Sequence, residues 1–189
     1  MRLIIGMSGA SGLIYGIRLL EVLQRESSVE THLVMTPSAK MNIAIETQWS
    51  VTDVKAMAHH VHSVRDIAAS ISSGSFTTDG MIVAPCSIKT LSAIANSYAD
   101  NLLVRAADVV LKERRRLVLV PRETPLHSGH LRLMLQVSEM GAILAPPEPA
   151  MYIKPKTVDD LVNHHVGRVL DLFGLDVGIV QRWKGTELH

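Results

Sequence analysis

One cysteine, Cys86, stands in 189 residues, so no intrachain disulfide can form, and a reducing cytoplasm is the expected setting. Charge of one sign is not in excess. The formal net charge is +1, which gives no general attraction to nucleic acid or to an acidic membrane surface. No apolar run approaches the roughly 18–20 residues that a membrane span needs. The N-terminal "MRLIIGMSGASG" runs straight into a strand pattern and lacks the design of a signal peptide. Internal repeats and low-complexity tracts are missing. What is plentiful is apolar surface: 47% hydrophobic residues with a mean hydropathy of +0.21. Such a chain either covers both faces of a sheet or buries surface between subunits. Its length favours a single domain over residues 1–189, with 175–189 as a C-terminal tail.

Five short, nearly continuous apolar runs lie at 2–7, 31–35, 80–85, 116–121 and 141–146. Each is too short for a core helix, and continuity rather than alternation suits strands buried on both faces. Helical patterns are predicted at 12–25, 50–60, 88–98, 102–115, 128–140 and 158–173. In the last, Thr157 and Asp160 have capping-box spacing and Gly174 ends the run. Strand–helix alternation predicts an α/β, Rossmann-like, doubly wound and mainly parallel sheet. Ligands bind such sheets beyond the carboxyl ends of the strands. That rule selects residues 8–12, 36–38, 85–90 and 121–125.

Each of these places offers donors. "SGASG" combines glycines, the hydroxyls of Ser8 and Ser11, and a helix start whose free N–H groups suit an anion. A dinucleotide would demand an acid after the second strand. There "VMTPSAK" supplies Thr36 and Ser38 but no carboxylate, so NAD is disfavoured. No Lys-Ser/Thr pair follows the glycine loop, so a P-loop nucleotidase is disfavoured too. A smaller phosphorylated ligand such as a mononucleotide remains. "PCSIKT" forms a second anion-competent helix start with Ser87, Lys89 and Thr90. "PRET" places Arg122, a planar fork for phosphate, beside Glu123, a possible proton carrier. Cys86 reads as a buried structural thiol rather than a nucleophile. The histidine groups at 59–62, 127–130 and 164–165 lack an acid or cysteine at an established zinc spacing and read as solvated or capping residues. "YIKPK" mimics a dehydrogenase Tyr/Lys pair, but Pro155 breaks the helix that pair requires.

Taken together, "GMSGASGLIYGIRLL", "AASISSGSF", "PCSIKTLS", "RAADVVLKERRRLVLVPRETPL" and "PPEPAMY" resemble the flavin prenyltransferase family, over essentially the whole chain. These are the UbiX-type flavoproteins that supply the cofactor of UbiD-type decarboxylases. The resemblance implies a flavoprotein of the flavodoxin-like kind, a homo-oligomer and typically a dodecamer, with FMN sites at subunit interfaces. It implies transfer of a dimethylallyl group from dimethylallyl phosphate or diphosphate to N5 and then C6 of reduced FMN, with no metal. The prenylated FMN would pass to a decarboxylase in ubiquinone biosynthesis or hydroxyarylic acid breakdown. Residues 9–11 (Gly9, Ala10, Ser11), Thr36, Ser87, Ile88, Lys89, Thr90 and Arg122 match FMN-binding positions. Arg105, Lys112, Arg122, Glu123, Tyr152, Arg168 and Trp183 match positions that hold the prenyl phosphate or lie near it. Ser11, Glu46, Lys112 and Glu123 match the catalytic set. Thr36 stands where many relatives carry Ser, and Met151 where Phe is usual. A flavin-dependent cysteine decarboxylase would share the fold, but the histidine and the substrate-recognition segment typical of that class are not found. An FMN-binding accessory subunit of a decarboxylase is the other alternative.

Overall fold

The computed structural model describes residues 1–183 and residue 185. They divide into two compact units, one from Met1 to Pro146 and one from Pro147 onward. The first unit is built on six strands: β1 (Arg2–Met7), β2 (Glu30–Met35), β3 (His60–His62), β4 (Gly80–Cys86), β5 (Arg116–Pro121) and β6 (Ile143–Leu144). All pairings are parallel and the spatial order is β3-β2-β1-β4-β5-β6. Every residue of β4 is buried, as are five of the six in each of β1, β2 and β5. This two-sided burial is the physical reason the runs read as continuous rather than alternating. Each fully buried leucine or isoleucine in them contributes about 1.5–3 kcal/mol.

Helices α1 (Leu13–Leu23), α2 (Pro37–Glu46), α3 (Val51–Ala56), α4 (Ile88–Ala95), α5 (Leu102–Lys112) and α6 (Ser128–Glu139) connect the strands. Three differences from the sequence expectation matter. The helix expected over 50–60 stops at Ala56, and His60–His62 instead forms the edge strand β3. A helix not expected at all, α2, fills the segment after β2. Thr36 caps it, accepting a hydrogen bond from Ala39 N–H at 3.1 Å, and Pro37 occupies its first position, where a missing N–H costs nothing. The strand expected over 141–146 shortens to two residues.

The second unit contains a 3-10 turn (Met151–Ile153) and α7 (Val158–Asp171). The capping box forms as its spacing predicts. Thr157 N–H donates to Asp160 at 2.8 Å, and Asp160 N–H donates back to the Thr157 hydroxyl at 3.2 Å. A Cβ on Gly167 would lie 2.3 Å from Val180 Cγ2, so the small residue lets residues 179–180 lie against α7.

Candidate functional site at the sheet switch point

The strand order reverses between β1 and β4, and doubly wound sheets bind ligands in the crevice that this reversal opens. The two loops at that point are residues 8–12 after β1 and 87–90 after β4. They are stitched together by Ser8, which is fully buried. Its hydroxyl donates to the Pro85 carbonyl at 3.0 Å and accepts from Ser87 N–H at 2.8 Å. Ser8 is therefore structural and not the ligand donor its position in the loop predicts. Ser11 is exposed at the same loop.

Gly9 and Gly12 serve different purposes. A Cβ on Gly9 would sit 2.3 Å from Ser38 Cβ, so the start of α2 can lie against the loop only because residue 9 is glycine. Gly12 has φ +98°, the left-handed region open to glycine, and starts α1. The N–H groups expected to face a ligand anion at the N-terminus of α1 are instead taken by a carboxylate of the chain itself. Glu46 Oε2, on the last residue of α2, accepts from Gly12 N–H at 2.8 Å and Leu13 N–H at 3.2 Å. A carboxylate at this place satisfies two orphan donors and the helix dipole together. Glu46→Ala should therefore cost about 0.5–1 kcal/mol in urea unfolding, with Glu46→Gln recovering part of it through its amide oxygen. An unchanged midpoint in both variants would contradict the cap.

At the second loop Ser87 caps α4, accepting from Thr90 N–H at 3.3 Å, and its own hydroxyl donates to Thr90 Oγ1 at 3.2 Å. Helix geometry leaves the Ile88 and Lys89 N–H groups pointing out of the helix start. Lys89 is exposed there, whereas Thr90 is buried. Beside it opens a cleft of about 450 Å³, lined in part by Lys89, Thr90, Ala93, Tyr98 and Val104, a size suited to a small ligand. Thr36 uses its oxygen to cap α2 and retains a proton to donate. After β5, Arg122 N–H donates to the Cys86 carbonyl at 3.2 Å, which fixes its backbone beside the β4 loop. Among the described residues its exposed guanidinium makes no ion pair. Glu123 is also exposed and accepts from Thr124 N–H at 3.1 Å. The first unit thus gathers Gly9, Ala10, Ser11, Thr36, Glu46, Ser87, Ile88, Lys89, Thr90, Arg122 and Glu123 along the carboxyl ends of its strands.

Lys112 and Arg105 are not part of that gathering. Lys112 ends α5 before β5 begins, pairs with Glu113, and lies over Gly74. Next to it Arg115 donates to the Gly74 and Phe76 carbonyls at 2.7 and 3.0 Å. This is the amino end of the sheet. Strand β5, 6 residues long, separates it from Arg122 by roughly 17 Å. Arg105, half-buried, donates to the Ser72 carbonyl at 3.2 Å and pairs with Asp108 at 2.8 Å.

In the second unit Tyr152 and Trp183 come together, ring centroids 5.6 Å apart and edge-on. The Tyr152 hydroxyl lies 3.2 Å from His164 Nε2. Arg168 pairs with Asp171 at 2.6 Å, and Arg182 pairs with the same carboxylate. Those two cations hold the Asp171 carboxyl below the usual range, Arg182 contributing most. Cys86 is fully buried, and burial pushes its thiol up to about 12. The thiolate needed for nucleophilic work is therefore absent near neutrality. The folded protein should resist a thiol reagent at pH 8 and react only on unfolding in denaturant; prompt labelling of the native chain would contradict this.

The family described as Flavoprotein matches residues 1–170. A flavin prenyltransferase UbiX of Thauera aromatica is 63% identical over 187 residues, covering 99% of this chain and 96% of that protein. A dodecameric FMN-dependent UbiX-like decarboxylase from Escherichia coli O157:H7 superposes with a TM-score of 0.97 at 57% identity, covering 98% of this chain and 100% of that one. AnUbiX, solved with FMN and dimethylallyl pyrophosphate, superposes with a TM-score of 0.96 at 53% identity and 98% coverage of each chain. Likeness this close, carried through the switch-point loops and on to α7, shows that the chain belongs to the flavin prenyltransferase family of flavoproteins.

Proposed function

We propose that the chain transfers a dimethylallyl group from dimethylallyl phosphate or diphosphate to reduced FMN, making prenylated FMN for a UbiD-type decarboxylase. The observation that carries the reading is the 63% identity to a flavin prenyltransferase over nearly the whole chain, in a chain whose two donor-bearing loops meet at the sheet switch point. The residues present fit FMN. The open helix start at Ile88 and Lys89 and the hydroxyls of Ser11 and Thr36 offer donors to a phosphorylated ring system, with Gly9, Ala10, Ser87, Thr90 and Arg122 completing the binding set. Reduced FMN supplies the nucleophilic N5 and the C6 that take the new bonds.

The chain's own part is to hold the donor and manage charge. Arg122, Lys112, Arg105, Arg168 and Tyr152 grip the prenyl phosphate, and the cations stabilise the negative charge that grows on it as the allylic C–O bond breaks. Trp183 and Tyr152 shield the allyl fragment from water. Glu123 and Glu46 would accept the proton released as the ring closes onto C6, the one new carbon–carbon bond, and Ser11 orients the reacting groups from the first loop. Lys112 lies one strand length from Arg122 within a copy, so in this reading a neighbouring copy supplies it. That agrees with a homo-oligomeric enzyme, a dodecamer like the similar decarboxylase, with sites at subunit interfaces.

No described helix is long and apolar enough to cross a membrane. The single cysteine supports a cytoplasmic enzyme. Phosphate release provides the test. Anaerobic protein should liberate phosphate from the donor only when reduced FMN is present. Release that ignores the flavin, or none with either donor, would overturn the reading.

A further inference from the structure

We infer that the β2–β3 edge of the sheet is a site for a divalent transition-metal ion of the Zn²⁺ class, held by Glu30, His32 and His60 and separate from prenyl transfer. The stretch "HHVH" lacks an acid of its own, and the fold supplies one from the neighbouring strand. His32 and His60 are direct partners in the parallel register. Strand periodicity puts Glu30 beside His32 and His62 beside His60 on the same face. His32 Nε2 and His60 Nε2 both point at Glu30 Oε1, at 2.9 and 3.2 Å. The three ligand atoms lie within 4.8 Å of one another. Bond lengths of about 2.0–2.2 Å to an ion between them require separations only slightly different from these.

The surroundings fit as well. His32 is 3% exposed, stacked between His60 and His62 at 4.6 and 5.2 Å. Its Nδ1 lies 2.9 Å from His62 Nε2. With Nε2 on the ion, Nδ1 carries the proton and donates to His62, the outer-shell bond that orients metal-bound imidazoles. His60 is 53% exposed, which leaves a side open to water as a further ligand. Arg2 forks onto Glu30, Nε to Oε1 and Nη2 to Oε2, each at 3.2 Å. A donor set of two imidazoles and one carboxylate disfavours Mg²⁺ and Ca²⁺, which take oxygen ligands, and suits ions that prefer imidazole.

The test is titration of the tag-free, chelator-treated full chain with Co²⁺, read by its visible ligand-field bands and by calorimetry. One ion per chain is expected. His60→Ala, at an exposed position, should weaken binding by at least about tenfold and abolish the bands, with the circular dichroism unchanged. His127→Ala, in the His127–His130 ring pair, should leave the isotherm as it was. Lack of binding, an unaltered isotherm in His60→Ala, or loss in His127→Ala overturns the site.

Discussion

Arg122→Ala will slow prenyl transfer by about 10²–10³-fold, the loss expected when one preorganised partner of a developing anion is removed. Its stability will stay within about 0.5 kcal/mol of the parent, because an exposed side chain with no ion partner among the described residues is being trimmed. The backbone bond from Arg122 N–H to the Cys86 carbonyl survives the change, so the loop keeps its place. Lys112→Ala should show a loss of the same order from the far end of the sheet. The pair then allows a sharper experiment. If each site takes Arg122 from one copy and Lys112 from another, co-expressing the two inactive variants will rebuild some intact sites, and activity will return in the mixed assembly. If both residues served one site in one copy, every site would carry a lesion and the mixture would stay inactive. Normal turnover by either variant alone would remove that residue from the clamp.

Gly16→Ala will destabilise the protein although it adds a better helix former. A Cβ at residue 16 would lie 2.3 Å from the Ala84 carbonyl oxygen and about 3 Å from the Met7 side chain. The side chain could turn away, but the carbonyl belongs to the central strand β4 and cannot. Overpacking costs about 1–3 kcal/mol, and a contact with fixed backbone falls at the upper end. Alanine's helix propensity returns about 1 kcal/mol. A net loss of about 2 kcal/mol corresponds to a fall of roughly 4–8 °C in Tm for a chain of this length. Activity should fall further than stability predicts, since pushing α1 off β4 strains the Ser8–Ser87 stitch that joins the two loops. An unchanged or raised Tm would contradict this close packing.

Much of this frame is legible from the chain because the forces that set it are local. Buried parallel strands write themselves as continuous apolar runs, and Thr157 with Asp160 writes a cap. The segment after β2 shows where such reading thins. Thr36-Pro37 is a sound helix start, but α2 buries only Ala39 and Ile43, too few to make an apolar stripe. Strand β3 is three residues of histidine and valine, a pattern that gains meaning only from its partner β2. Glu46 on the α1 start and Glu30 beside His60 are pairings across about thirty residues, and no local spacing encodes them. Lys112 is different. Its place before β5, with Arg122 after it, already states that a whole strand separates them, so their separation in one copy follows from chain order alone.

The most direct measurement is the mass of the flavin recovered after anaerobic incubation of the purified chain with reduced FMN and dimethylallyl phosphate or diphosphate. The expected product is heavier than FMN by one isoprene unit, formed with at least one of the two donors and not when the flavin is left oxidised. Unmodified FMN recovered with both donors would contradict it.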